Sequence, residues 1–393
     1  MKVLVLGASG KQGQATSYDL VKNEKVEKII LAGDDKYELD KTARWLDSEK
    51  CQVEVIDVST KFDTFKLIES TRANLVVCSV PWKLTLPPLD ASIEAGAHFV
   101  DYGLYQNVEF DKRIDAYHKK ALEAGVTVIP SCGLAPGMTN MLAAYGVSFM
   151  DQADKIEVYV GGIPEKPEPP LQYKAVWSIE GVWTQFMEAC RVIKDGRPDT
   201  VEATTEKVTL HFEGLGDFEA AYTDGLGTLL HAYKNPEMKG VKDVYEKTIR
   251  WPGHYDKIRT LKDCGLLNTE PFTVGDCTIA PRTFLTALLA PALKMKDHEK
   301  DMSLLRVKAI GKKNSENLEK TYQMVDYRDE ETGLLSMART TGFTGAIMVD
   351  MLASGKINEK GVVMPEKLGA DQNVFEELME EYKKRNIVIK EIS

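Results

Sequence analysis

The chain lacks the features that several protein classes require. Its six cysteines, Cys51, Cys78, Cys132, Cys190, Cys264 and Cys277, form no Cys-x-x-Cys pair and keep no metal-like spacing with the six histidines. A reducing compartment is therefore expected, with no disulfide framework and no structural metal. The formal charge is −10 and no block of lysine and arginine stands out, which argues against the clustered cations that displace counterions from nucleic acid. No apolar run approaches the roughly 20 residues of a membrane-spanning helix. Met1-Lys2 runs straight into Val3-Leu4-Val5-Leu6 without the basic, apolar and small-residue order of a signal peptide. Internal repeats and low-complexity segments are also missing. These absences together lead to the expectation of a cytoplasmic protein with a small-molecule partner, and neither nucleic acid nor membrane as a partner.

What is present is ordinary globular composition, 43% hydrophobic and 28% charged over 393 residues, enough for two domains at roughly 100–200 residues each. Up to Pro130, short apolar runs alternate with longer amphipathic stretches, the pattern of βα units around a parallel sheet. The predicted strands are Lys2–Leu6, Lys28–Ala32, Gln52–Val58, Leu75–Val80, His98–Asp101 and Thr127–Pro130. They predict an α/β, Rossmann-type doubly wound sheet, with ligands beyond the carboxyl ends of its strands. Prolines in Pro164-Glu165-Lys166-Pro167-Glu168-Pro169-Pro170 lack the amide donor and predict a loop or lid. Beyond it, Lys207–Phe212 and Phe218–Tyr222 read as strands and Gly181–Ile193 as a helix, giving an α+β second domain with a mixed sheet. Ala338–Ser354 and Val374–Arg385 read as helices that return to the first domain. The expected division is residues 1–130, completed by 337–393, and residues 131–336.

Gly7-Ala8-Ser9-Gly10-Lys11-Gln12-Gly13 follows the first strand and opens an amphipathic helix, Gln14 to Val21. Glycines there permit a tight turn and close approach to a pyrophosphate, which the helix start favours electrostatically. A turn that serves only helix packing is the alternative. About 20 residues further on, Asp34 and Asp35 stand where a carboxylate would accept bonds from the ribose hydroxyls. Two adjacent acids repel a 2′-phosphate, so NAD is favoured; Lys36 keeps NADP open. A solvated turn is the other reading of Asp34. Asp57, at the third strand end, is placed toward the adenine, and Ser79-Val80-Pro81, after the fourth, toward the nicotinamide-side phosphate and ribose.

Ile129-Pro130-Ser131-Cys132-Gly133-Leu134-Ala135-Pro136-Gly137-Met138 resembles the saccharopine dehydrogenase family, whose members carry a Gly-Leu-x-Pro-Gly turn at the domain junction. So do Tyr159-Val160-Gly161-Gly162-Ile163-Pro164 with 167–173, Lys247-Thr248-Ile249-Arg250-Trp251-Pro252-Gly253-His254, and Ala338-Arg339-Thr340-Thr341-Gly342. The combination covers nearly the whole chain and is most similar to the L-lysine 6-dehydrogenase branch. Ala135 replaces the substrate-contacting acid of the saccharopine reductases, while Gly33 replaces an acid of the lysine dehydrogenases and the glycine loop is one residue longer. The resemblance implies a homodimer and an amino-acid substrate whose ε-amine carbon gives hydride to nicotinamide. The resulting imine hydrolyses to an aldehyde, 2-aminoadipate semialdehyde, which cyclises on the α-amine to a piperideine carboxylate.

Only a neutral amine loses hydride readily, so an alkylammonium of pKa about 10.4 must be deprotonated by desolvation or a base. The candidates are Asp101, at the end of the fifth strand, and His254; helix capping and plain packing are their alternatives. Arg250 is the candidate clamp for the α-carboxylate, against a surface ion pair. Tyr173, Ser178 and Glu180 would meet the far end of the substrate, against packing and capping. Cys132 reads as a buried inert thiol rather than a nucleophile, and His118 as solvated. Trp177 and Trp183, six apart, share no helical face and read as core. The rival activities are a saccharopine or carboxynorspermidine reductase acting on a secondary amine and, in another class, a non-catalytic NAD(H)-binding redox sensor.

Overall fold

In the computed structural model, which describes residues 1–296 and 298–392, the first sheet contains β1 (Lys2–Leu6), β2 (Lys28–Gly33), β3 (Cys51–Val55), β4 (Leu75–Cys78), β5 (His98–Asp101) and β6 (Thr127–Ile129). Gly361–Val362 adds a seventh strand, and the order is 361–362, β6, β5, β4, β1, β2, β3, all parallel. Alternation places Val3, Val5, Ile29, Leu31, Val77 and Val100 in one core and Leu4, Leu6, Ile30, Ala32, Val76 and Phe99 in another. Burial on both faces is why these strands read as continuous apolar runs. Strand order reverses at β1, between β2 and β4, and opens the ligand crevice there.

Three predicted strands overshoot, Thr127–Pro130 by one residue and two others by more. The chain leaves the sheet after Val55, where Asp57 Oδ1 accepts from Ser59 N at 2.9 Å, and after Cys78, where Pro81 leads into the turn Trp82–Leu84.

The second sheet is mixed. β7 (Gln152–Pro164) lies between Asp243–Arg250, which is parallel to it, and Asp301–Lys313, which is antiparallel. Outer strands include Val208–Phe212, Gly216–Tyr222 and Glu316–Tyr327. The helix expected over Gly181–Ile193 is a helix, Ile179–Met187, followed by a strand, Cys190–Lys194. The missed signal is Asp195-Gly196: both take positive φ and turn the chain into Arg197–Val201, as a two-residue hairpin loop requires.

Helix Ser336–Ala353 crosses helix Lys11–Lys22 closely enough that a Cβ on Gly342 would stand 2.8 Å from Ala15 Cβ and from Gln12 O. Arg385 Nε donates to both oxygens of Asp19 at 2.9 Å. The last strand, Ile389–Glu391, instead pairs with Glu316–Tyr327 of the second sheet. The carboxyl-terminal segment thus touches both sheets.

Candidate active site

The glycine loop is shaped by backbone contact. Gly7 has φ +73°, and a Cβ there would lie 2.6 Å from Ser79 O; a Cβ on Gly13 would lie 2.2 Å from Gly7 O. The helix starts at Lys11, earlier than the expected Gln14, with Gly10 as its extended N-cap residue. The amides of Lys11, Gln12 and Gly13 find no acceptor among the described residues, whereas Gln14 N is bonded to Gly10 O. Free amides at a helix start, in a cradle without side chains, fit a pyrophosphate. Ser9 Oγ sits beside Gly33 at the end of β2. Lys11 Nζ reaches across to Ala175 O at 3.4 Å, so the loop faces the second domain.

The two acids after β2 have different positions. Asp35 caps helix Lys36–Leu46, accepting from Glu38 N at 3.1 Å, while Lys36 pairs with Asp40 at 2.7 Å. Asp34 is exposed and uncommitted, the better placed of the pair for a ribose. Asp35 is engaged in this cap through Oδ1 and Lys36 in an exposed ion pair, whereas Asp34 makes neither kind of bond among the described residues. Asp57 is exposed and closes its own turn; the Ser59 amide holds its carboxyl below the usual range. Ser79 and Val80 lie against Gly7 at the switch point, and Pro81 starts the turn that follows.

At the domain junction, Asp101 is fully buried and both carboxyl oxygens are occupied: Oδ1 accepts from Ser131 N at 2.7 Å and Oδ2 from Gly103 N at 2.8 Å. Burial pushes its carboxyl up to about 7, against the lowering by these amides. Asp101 ties β5 to the turn before Gly133 through these amides, and a buried carboxyl raised toward neutrality is compatible with the expected base. Beside it Cys132 is buried and its thiol is pushed up by burial, as for an inert thiol. Tyr102 packs between the two helices, its hydroxyl 2.5 Å from Thr16 Oγ1.

Two of the expected substrate residues, Arg250 and Tyr173, and the candidate base His254 come together in the second domain. The Arg250 guanidinium lies 4.8 Å from the Tyr173 ring centroid, and the rings of Tyr173 and His254 are 5.7 Å apart. Arg250 is 2% exposed, donates only to Ile249 O at 2.9 Å, and has no acid partner among the described residues. His254 Nδ1 is 2.8 Å from Leu171 O, and burial, then Arg250, lower its pKa to about 3. It is a neutral ring that holds the loop rather than a base near neutral pH, which corrects that expectation. Arg250 Nε and His254 Nε2 are buried without partners among the described residues, whereas the Tyr173 hydroxyl has Trp177 and the Val176 backbone beside it. Ser178 and Glu180 are not in this layer. Both are exposed; Ser178 caps helix Ile179–Met187 through Gly181 N at 3.3 Å, and Glu180 accepts from Thr286 at 3.2 Å.

Sequence reading missed two further features. Asp111, in the segment after β5, meets His231 Nε2 at 2.5 Å across the domain boundary, with His231 Nδ1 buried and unpartnered. Glu246 is 2% exposed on the strand that carries Arg250, with the Thr223 hydroxyl beside its carboxyl and no cation paired to it among the described residues. The signal for Glu246 was available: it is four residues from Arg250, on the same strand face. His231 lies in a 3-10 segment, Gly227–Lys234, whose pattern points to no site. His118 is half-buried, with its Nδ1 3.1 Å from Val362 N, rather than solvated.

The family model for the saccharopine dehydrogenase NADP binding domain matches residues 3–129, and that for the saccharopine dehydrogenase C-terminal domain matches residues 133–388. Carboxyaminopropylagmatine dehydrogenase of Synechocystis sp. is 23% identical over 94% of this chain and 93% of its own length. The mitochondrial alpha-aminoadipic semialdehyde synthase of Rattus norvegicus is 25% identical over 98% of this chain, which spans 47% of that protein. Among solved structures, apo saccharopine dehydrogenase (L-Glu forming) from Saccharomyces cerevisiae superposes with a TM-score of 0.79 at 20% identity over 100% of both chains, a shared fold.

Proposed function

The chain belongs to the saccharopine dehydrogenase family of NAD(P)-dependent oxidoreductases acting on amines, and from that premise we propose that its substrate is an amino acid oxidised at a terminal amine, L-lysine first. The observation that carries the reading is Arg250. A buried guanidinium without an acid partner is costly, and a substrate carboxylate, accepting two parallel bonds, would supply the missing partner. Bound nicotinamide dinucleotide supplies the hydride acceptor. Glycine-loop amides of Lys11, Gln12 and Gly13 would hold its pyrophosphate, and Asp34 its adenosine ribose, which favours NAD.

Tyr173 and Phe186 flank the guanidinium, keep water from the carboxylate and fix its direction. Lysine must lose a proton from its ε-ammonium before the ε-carbon gives up hydride. Water then adds to the resulting iminium, ammonia leaves, and the aldehyde condenses with the α-amine. Asp101 is the proposed acceptor of the ε-ammonium proton, and it also positions the Ser131–Gly133 turn. The printed name of the Synechocystis relative favours a second reading, a dehydrogenase acting on a secondary amine. The homodimer stays part of the proposal and is checked by light scattering.

The deciding experiment follows absorbance of reduced nicotinamide at alkaline pH with NAD or NADP and lysine, ornithine, arginine or saccharopine. Reduction with lysine alone supports the proposal. Turnover only with saccharopine or a related secondary amine replaces it with the second reading, and no turnover with any amine leaves the redox sensor.

A further inference from the structure

Side chains alternate along Asp243–Arg250, so Glu246, Thr248 and Arg250 share one face of that strand. Helix Ile179–Met187 covers this face. Gln185 Nε2 donates to Thr248 Oγ1 at 3.3 Å, and Phe186 lies 5.8 Å from the Arg250 guanidinium. In this layer Gln185 Oε1 and Arg250 Nε have no hydrogen-bond partner among the described residues, and the Glu246 carboxyl has the Thr223 hydroxyl beside it and no cation. Buried polar atoms without partners are few in native proteins. The strand face carries an acid at one end, Glu246, and a guanidinium at the other, Arg250.

We propose that Glu246 is the cation-binding end of the substrate site and takes the ammonium of a substrate whose carboxylate Arg250 holds. The inference rests on reading this layer as the amine-substrate site, and it names the substrate class: a chain of several carbons with charges at opposite ends. Four residues of strand separate the two Cα atoms by about 13 Å, too far for the adjacent charges of a simple α-amino acid to reach both groups. No cation of the protein takes the place of the ligand. Arg191 is committed to Asp224, with Nη2 2.8 Å from Oδ2, and Glu246 forms no ion pair among the described residues. Gly225 leaves the space into which the Glu246 carboxyl extends, and Gly227 packs on Pro136 of the junction turn, which sets this end of the layer beside the domain boundary. Burial, then the charge of Asp224, pushes the Glu246 carboxyl up to about 8, a state that a bound ammonium would reverse.

Calorimetry on the full chain with its nicotinamide dinucleotide tests this with 6-aminohexanoate against hexanoate. Charge-assisted pairing predicts that the amino compound binds about tenfold tighter or more. Glu246→Gln should equalise the two, leaving hexanoate affinity within about twofold, while Glu246→Asp keeps part of the preference. Equal affinities in the unaltered chain, binding of neither, or a full preference retained in folded Glu246→Gln would overturn the proposal. If Glu246→Gln fails to fold, Glu246→Asp decides, and an undiminished preference there overturns it. The expected binding pattern without lysine oxidation would refute the lysine reading and leave the two-ended site standing.

Discussion

Asp111 and His231 join the two domains through one hydrogen bond of 2.5 Å between a carboxylate oxygen and a ring nitrogen. The bond to His231 opposes partial burial and holds the Asp111 carboxyl below its ordinary range. A carboxyl depressed in the folded state stabilises the fold above its unfolded pKa, about 3.9, and loses that contribution as pH falls through the lower folded value. Asp111→Asn should therefore cost of order 1 kcal/mol at pH 7, reduced by partial exposure. Denaturant titrations at pH 7 and below pH 3 check it: the gap between variant and parent should close in acid, and a gap unchanged with pH would contradict the account.

His254 gives the opposite chemical case with the same direction in pH. Its folded pKa near 3 lies below an unfolded value of about 6.5, so the unfolded chain binds the extra proton between them. Stability should fall as pH drops from about 6.5 toward 3. His254→Gln should flatten that slope by about one proton; an unchanged slope would mean the ring is already protonated in the fold.

Arg250→Met separates a binding arginine from a structural one. Replacing a buried charge that lacks an acid partner by an apolar chain is often neutral or stabilising. The variant should melt within a few degrees of the parent while carboxylate-containing ligands bind about a hundredfold more weakly. A large loss of stability would assign Arg250 to the core.

Gly13→Ala places a methyl carbon where Gly7 O stands. Reduced-nicotinamide fluorescence should show affinity falling at least about tenfold, since the loop must open to admit the carbon. Unaltered affinity would place the pyrophosphate elsewhere.

Asp34 and Asp35 should separate in function. Asp34→Ser is expected to lower preference for NAD over NADP about tenfold or more with little change in melting. Asp35→Ala should leave the preference alone and cost about 1 kcal/mol, the loss of an N-cap. The reverse pattern would show that the carboxylates had been assigned the wrong way round.

Much of the first domain was legible because local signals there agree. Lys2–Leu6 and Lys28–Gly33 are buried on both faces and bounded by glycine, so composition and punctuation give the same answer. Ser178 illustrates why proximity in sequence to Tyr173 was misleading: the loop ends there, and a serine at that point serves the helix amide behind it. Asp101 stood at the expected strand end, but only the fold shows both of its oxygens taken by amides.

The parallel sheet, the glycine cradle and the family were legible in the chain, because strand burial, backbone freedom and helix starts depend on residues close together in it. Tertiary structure alone decided which charges are free. Whether Arg250, Glu246 or His231 has a partner depends on segments tens to more than a hundred residues away, and on burial, which sets the cost of leaving a charge unpaired.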